Sequence, residues 1–339
     1  MKPFDFAAQL HLPELPTYLM QVETGLSQVV SAAGPSLRPP LARLLAVRGK
    51  RLRPTLTLAV AAAHKAPIDE RLIGICVAVE LAHLGSLVHD DIIDDSPSRW
   101  SIPTVNKQEG VRQAILAGDY LLAAACRQAA LVNTELAQLV AVTIATMCEG
   151  EAAELTTQYD IKRSTAHILQ TMHDKTAVLL AAACQAGALY AGATMAEQTV
   201  YYRYGEAFGM AFQLVDDVLD VVSAPELSGK PVGSDVQAGM YTLPVRLVLD
   251  GPQAVTLTTL LGQKAEAPVA DILSVLLQTD ALPQSLARAG EYGQIASQAL
   301  GRLTANDAVA GLRTLPQAYT AWAIQQLVLP AYRSHLAQP

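Results

Sequence analysis

The sequence is poor in charge. Only 16% of its 339 residues are Asp, Glu, Lys or Arg, which argues against a disordered or highly solvated chain. Cations are the scarcer sign. The 24 Lys and Arg against 31 Asp and Glu leave a formal charge of −7, so the chain does not read as a nucleic-acid binder. The four cysteines, Cys76, Cys126, Cys148 and Cys184, lack metal-ligand spacing and read as buried free thiols in apolar helices. A di-iron carboxylate bundle needs Glu-x-x-His pairs on two helices. The sequence offers one, Glu80 to His83, which excludes that centre. Alternating Val/Ile/Thr runs between hairpin turns are nearly absent, which excludes a sheet protein. Met1–Leu12 lacks a basic stretch followed by an apolar run, so no signal peptide is expected. No repeat and no low-complexity linker divides the chain.

What is abundant is apolar: 51% of residues, enough for a large core. Ala- and Leu-rich segments dominate, punctuated by Gly, Pro and Asn. Helices are expected near 18–30, 41–47, 53–65, 69–95, 110–131, 135–158, 164–190, 194–223 and 241–249. Shorter helices follow, with breaks at Pro268, Pro283 and Pro316. Residues 177–196 carry no charge and are long enough to span a bilayer. They are mostly Ala, with Gln185 and several Gly, and read as a helix buried on all sides. The expectation is all-α: a single large helix bundle over 1–339 with a central substrate cavity, cytoplasmic and without a membrane anchor.

Two aspartate clusters stand inside apolar helical stretches. The first is His89-Asp90-Asp91-Ile92-Ile93-Asp94-Asp95. Asp90 and Asp94 are one helical turn apart, as are Asp91 and Asp95, so each pair shares a face. The second, Gln213 to Asp220, places Asp216 and Asp220 on one face beside Asp217. Like charges at that spacing destabilise a helix unless something neutralises them. An all-oxygen donor set suits Mg²⁺, which is commonly completed by substrate phosphates; soft ligands for zinc are missing. For one cluster alone, a solvated helix end is the alternative.

The few cations flank these acids. Gly49-Lys50-Arg51-Leu52-Arg53-Pro54 holds three in four residues, either a phosphate grip or a solvated basic turn. Lys175-Thr176 opens the charge-free helix, and Gly229-Lys230-Pro231 follows the second cluster. Metals and cations about one centre suggest a diphosphate substrate. His83 lies two turns before Asp90 on the same face. It reads as a ligand or as a satisfied core histidine.

Together these residues resemble the trans-prenyl diphosphate synthases, and most of all their long-chain polyprenyl members. The resemblance covers roughly residues 45 to 250. It rests on GKRLRP at 49–54, HLGSLVHDDIIDD at 83–95, PTV at 103–105, AILAGDYLLA at 114–123, KT at 175–176, GMAFQLVDDVLD at 209–220, GKPVGSD at 229–235 and TLP at 242–244. It implies that Lys50, Arg53 and His83 hold the diphosphate of isopentenyl diphosphate. Asp90, Asp94, Asp216 and Asp220 would bind Mg²⁺, with Mn²⁺ as the alternative. Arg99, Lys175, Thr176, Gln213 and Lys230 would meet the allylic diphosphate. Asp90, Asp91, Asp94, Asp216, Asp217 and Lys175 form the implied catalytic set. Small residues before the first cluster, Ala82, Gly85 and Ser86, imply an open tunnel and a product beyond fifteen carbons; close helix packing is the other reason for small residues there. A homodimer is implied, with a heteromer as the alternative.

Two positions depart from the family pattern. Trp100 stands where a second arginine is usual, in Ser98-Arg99-Trp100-Ser101, and Met240 where a lysine is usual, in Gly239-Met240-Tyr241-Thr242. Buried charge-assisted hydrogen bonds contribute about 1.5–3 kcal/mol each, so the departures keep a weakly active or non-catalytic partner subunit in view. A terpene cyclase shares the first cluster, but its second metal motif differs and it needs no GKRLRP segment. A ligand-free helical scaffold is the remaining alternative.

Overall fold

The computed structural model describes residues 3–47, 49–99, 102–223 and 232–336. Trp100, Ser101 and the segment holding Lys230 lie outside the described residues. The order is α1 (Phe6–Gln9), α2 (Leu15–Ser31), α3 (Arg38–Ala46), α4 (Leu52–Ala63) and α5 (Glu70–Ile93). A ribbon of Ser98–Arg99 against Ile102–Pro103 follows, then α6 (Val105–Glu109), α7 (Val111–Ala130), α8 (Thr134–Leu155) and α9 (Thr165–Met172). A π-helical turn, His173–Ala177, joins α9 to α10 (Val178–Tyr190), and α11 (Met195–Val222) comes next. The last part holds α12 (Ser234–Gln237), α13 (Leu243–Leu249), α14 (Ala254–Leu261), α15 (Val269–Leu277), α16 (Ala281–Ala299), α17 (Asp307–Leu327) and α18 (Pro330–Leu336).

Local chemistry sets the long helices. Asp69 caps α5 by accepting from the amides of Arg71 (2.9 Å) and Leu72 (3.1 Å). Thr194 and Glu197 form a reciprocal capping box at the start of α11. The charge-free stretch is buried, as its composition predicts: Val178 to Cys184 and Ala186 to Ala188 are all covered. It is not one long span, because Gly192 at φ +70° turns the chain out of the helix. Helices α4, α5, α8 and α11 surround it, and together with α2 and α7 they supply one large apolar core. A second buried cluster joins the end of α11 to α13–α17.

The C-terminal prolines behave differently from expectation. Pro268 does precede α15. Pro283 sits in the first turn of α16, where an amide needs no intrahelical partner. Pro316 lies inside the 21-residue α17. Its missing N–H would leave the carbonyl of Leu312 without a donor. The buried Tyr204 hydroxyl of α11 donates to that oxygen at 2.8 Å, so the helix continues.

Among the described residues two helices are long and apolar enough to cross a membrane, α5 and α8. Most of α5 is buried in the bundle, whereas only 22% of the apolar window of α8 is buried. Its exposed residues include Ala141, Val142, Ala145, Cys148, Ala152 and Leu155. Cys148, unlike Cys76 and Cys184, is therefore not the buried thiol expected, because this face of α8 packs on nothing among the described residues. Their helical spacing makes a continuous apolar stripe.

Candidate active site

The end of α5 carries the first aspartates. Asp90 is half-buried, and burial, then Glu151 of α8, then Asp94 push its carboxyl up to about 7 against the pull of Lys175 and Arg99. Asp94 is exposed at the C-cap. Asp91 faces elsewhere. It is buried and takes Nε and Nη2 of Arg99, both at 2.8 Å, while Asn106 donates to its backbone oxygen. Arg99 is therefore tied to Asp91.

On α11, Asp216 is exposed and Asp217 buried. Gln213 links Asp217 to the π-turn: its Nε2 donates to Asp217 Oδ1 at 2.9 Å, and its Oε1 accepts from Thr176 Oγ1 at 3.0 Å. The other oxygen of Asp217 is buried and has no hydrogen-bond partner among the described residues. Burial, with Asp235, Asp216 and Glu154 nearby, holds this carboxyl well above the usual range despite Gln213. Both oxygens of Asp220 are engaged, Oδ1 by the Ser234 hydroxyl at 2.7 Å and Oδ2 by the Asp235 amide at 3.2 Å. Asp220 thus shapes the turn into α12. That turn is clamped from outside by Gln158, which donates to Ala238 O, and by the Tyr159 amide on Gly239 O. Met240 follows directly, its amide donating to Asp235 O at 2.8 Å.

Between the two aspartate helices lies Lys175. Its ammonium pairs with Glu151 at 2.6 Å and with Glu154. Burial works against the charge, but Glu154 and Glu151 outweigh it and raise the lysine. The two glutamates shift oppositely. Against burial, Glu154 is lowered by Lys175 and then by Arg163 at 3.0 Å, whereas burial, with Glu154 and Asp94, raises Glu151 despite Lys175. Sequence reasoning missed both. Their signal was present: three residues apart, they share one face of an otherwise apolar helix. Gly150 lets α8 approach, because a Cβ there would meet Asp174 Cβ at 2.7 Å and Lys175 N at 3.0 Å.

The three cations of 50–53 separate. Arg51, at φ +49°, turns inward to Glu23 (2.6 Å) and Glu80 (2.7 Å), a buried ionic staple between α2, α4 and α5. Lys50 donates to the Tyr319 hydroxyl at 2.6 Å and sits 5.3–5.7 Å from the ring centres of Tyr319, Trp322 and Phe212. Burial lowers this lysine, with Asp216 opposing. Burial also brings Arg53 down to about 10, opposed by Glu80, and leaves its Nε without a partner. Burial and then Arg53, Arg99 and Arg51 hold His83 well below its usual value, so its ring is neutral. The three small residues differ in surroundings. Ala82 is buried. A Cβ on Gly85 would lie 2.7 Å from Leu122 Cδ2, so this glycine faces α7. Ser86 is half-buried and donates to His83 O.

Among the described residues no three His, Cys, Asp or Glu side chains converge closely enough to hold a metal ion by themselves. The donor chemistry nevertheless fits one. The ligands are all oxygen, Asp217 keeps a buried lone oxygen, and Asp90 and Asp217 are held high by burial and by like charge. A hard divalent cation relieves both costs.

Fold and site together define an all-α protein of the isoprenoid synthase type. The chain matches the Polyprenyl synthetase family over residues 35–276 and belongs to that family. It is 36% identical over 299 residues to heptaprenyl diphosphate synthase component 2 of Geobacillus stearothermophilus, covering 88% of this chain and 93% of that one. Nonaprenyl diphosphate synthase of Mycobacterium tuberculosis is 33% identical, covering 87% and 88%. Among solved structures, a polyprenyl synthase from Caulobacter crescentus complexed with calcium and isoprenyl diphosphate superposes with a TM-score of 0.86 at 31% identity, covering 95% of this chain and 99% of that one.

Proposed function

We propose that the chain folds as one helical domain and condenses isopentenyl diphosphate with an allylic diphosphate, extending it to a medium- or long-chain all-trans polyprenyl diphosphate. The observation that carries this reading is the gathering of carboxylates from three helices at the π-turn: Asp90 of α5 and Glu151 and Glu154 of α8 about Lys175, and Asp217 of α11 joined through Gln213 to Thr176. Asp90, Asp94 and Asp216 would hold Mg²⁺ or Mn²⁺, with Asp91, Asp217 and Asp220 supporting them. The bound metal supplies positive charge to the departing diphosphate. Lys175, Thr176 and Gln213 orient that diphosphate. Lys50, Arg53 and the neutral His83 receive the isopentenyl diphosphate. The apolar bundle excludes water from the allylic cation, and the proton lost after carbon–carbon bond formation leaves with the diphosphate. Arg99 acts through Asp91, and Lys230 keeps its implied place at the allylic diphosphate.

Product analysis tests this. Purified protein is given farnesyl diphosphate, labelled isopentenyl diphosphate and Mg²⁺, beside Asp90→Ala and Lys175→Ala. Long polyprenyl products that vanish in both variants are expected. No product over a wide substrate range would support a second reading, that of a subunit needing a different partner chain. The open apolar stripe on α8 and the name of the Geobacillus relative favour a partner of some kind. Light scattering on the active protein decides between a homodimer and a heteromer.

A further inference from the structure

The proposed chemistry leaves one charged cluster unused. His173 opens the π-turn that carries Lys175 and Thr176. Its Nδ1 lies 2.7 Å from Asp174 Oδ1 and its Nε2 lies 2.9 Å from Glu206 Oε1 on α11. Asp174 is held in turn by Gln170 Nε2, at 3.0 and 2.9 Å from its two oxygens. A ring with a carboxylate on each nitrogen donates from both, which requires the imidazolium.

The turn needs something to hold it. A π-turn spreads its hydrogen bonds over one extra residue; it is rare, and it occurs frequently at functional sites. One residue of register rotates a helix position by about 100°. Reverting to α-helix would therefore swing Lys175 and Thr176 away from Glu151, Glu154 and Gln213. The helix beyond cannot follow, because α10 is fixed by burial on nearly every side. Packing leaves room for the wide turn at two glycines. Gly150 faces Asp174 and Lys175, and a Cβ on Gly209 would come within 2.6 Å of Ala177 Cα. These contacts admit the bulge, but neither pulls residues 173–176 toward α11. Two contacts do: the Thr176 hydroxyl on Gln213 at the end of the turn, and the His173–Glu206 bridge at its start.

We infer that His173 is a positioning residue, an ionic pin between Asp174 and Glu206 that keeps the π-turn in the register presenting Lys175 and Thr176 to the allylic diphosphate. This rests on the role proposed for Lys175. Hydrogen bonding to Glu206, against burial and with help from Asp174, lifts the imidazole to about 9. From α11, Glu206 and Tyr202 face this cluster; from α8, Glu151 and Glu154 face the neighbouring Lys175. Tyr202 is raised by burial and by Glu206 and Asp174, so it stays neutral where His173 titrates. The pin is thus charged at neutral pH, and its hold weakens as pH rises through about 9.

The test compares wild type with His173→Gln, His173→Arg and Glu206→Gln. His173→Gln should raise KM for the allylic diphosphate about tenfold or more, leaving KM for isopentenyl diphosphate within about twofold. His173→Arg, permanently charged, should restore the allylic KM and abolish its alkaline rise near pH 9. Two readouts need no activity: the His173 ring should titrate near 9 by NMR, and amide exchange over residues 173–177 should quicken in His173→Gln. Glu206→Gln keeps the test open if His173→Gln fails to fold, and should lower the NMR titration point. An unaltered allylic KM with unaltered exchange in His173→Gln would overturn the inference, as would an alkaline limb that persists in His173→Arg. Full activity in Lys175→Ala would instead overturn the role of Lys175.

Discussion

Removing one hydroxyl from the middle of the bundle should weaken a helix on its far side. Tyr204 is fully buried, and burial keeps its phenol protonated well above the ordinary range. It is therefore a hydrogen-bond donor at any working pH, aimed at the Leu312 carbonyl that Pro316 cannot reach. In Tyr204→Phe that carbonyl stays buried without a donor, which costs about 1–3 kcal/mol. With a urea m-value of roughly 3 kcal/mol/M or more for a chain of this size, a loss near 2 kcal/mol moves the unfolding midpoint by about 0.5 M. Pro316→Ala supplies the partner needed to isolate the effect. Alanine returns an N–H to the helix one turn beyond Leu312, so Tyr204→Phe in that background should cost less than about 0.5 kcal/mol. The coupling between the two sites is then on the order of 1.5 kcal/mol. Equal losses from Tyr204→Phe in both backgrounds would refute the reasoning. There is also a functional reading. Tyr319 and Trp322 follow Pro316 on the same helix and box Lys50. A loosened α17 should raise KM for isopentenyl diphosphate while the allylic KM holds.

Tyr319→Phe keeps the ring under Lys50 but removes the oxygen that competes for its ammonium; a freed hydrogen bond of about 1 kcal/mol should lower KM for isopentenyl diphosphate about two- to fivefold in steady-state assays. Gly85→Ala has Leu122 in its way and should cost about 1–3 kcal/mol in a urea melt without changing product length, whereas Ser86→Tyr, at the half-buried position, should shorten the product seen by chromatography. Inorganic diphosphate should bind at least tenfold more tightly with Mg²⁺ than without it in calorimetry, because the unliganded site holds more carboxylates than cations; equal affinity with and without metal would count against the proposed metal role.

Much of this molecule is legible in its sequence. The two aspartate clusters announce themselves because acids one turn apart inside an apolar helix are costly unless neutralised. The burial of α10 follows from a charge-free, Ala-rich run that lacks the hydrophobicity to enter a membrane. Other features left no periodic trace. A π-turn adds one residue to a helix whose apolar pattern is already continuous on every face, so 164–190 reads as one helix. Pro316 reads as a break because the donor that replaces its amide comes from Tyr204, 112 positions earlier. Lys50, Arg51 and Arg53 look alike as a run. Only the left-handed backbone at Arg51 decides which of them faces the protein's own acids.

Scarcity of cations, the first property visible in this chain, has a structural consequence that Glu151 and Glu154 make explicit. With few basic residues available, the site keeps its cations occupied: Lys175 by two glutamates and Arg99 by Asp91. Each is fixed in place before any ligand arrives, which spares the ordering of long side chains at the moment of binding. Yet Lys175, with Arg163 on Glu154 and Arg99 near Asp90, does not balance Asp90, Glu151, Glu154 and Asp217, and the high-lying Asp90 and Asp217 register that excess. An anion entering such a site by itself meets like charge. A divalent cation entering first, or together with the diphosphate, turns the same carboxylates from a barrier into ligands. If the proposed metal role holds, Met240, where the resemblance leads one to expect a lysine, should make that exchange weigh more heavily in this chain.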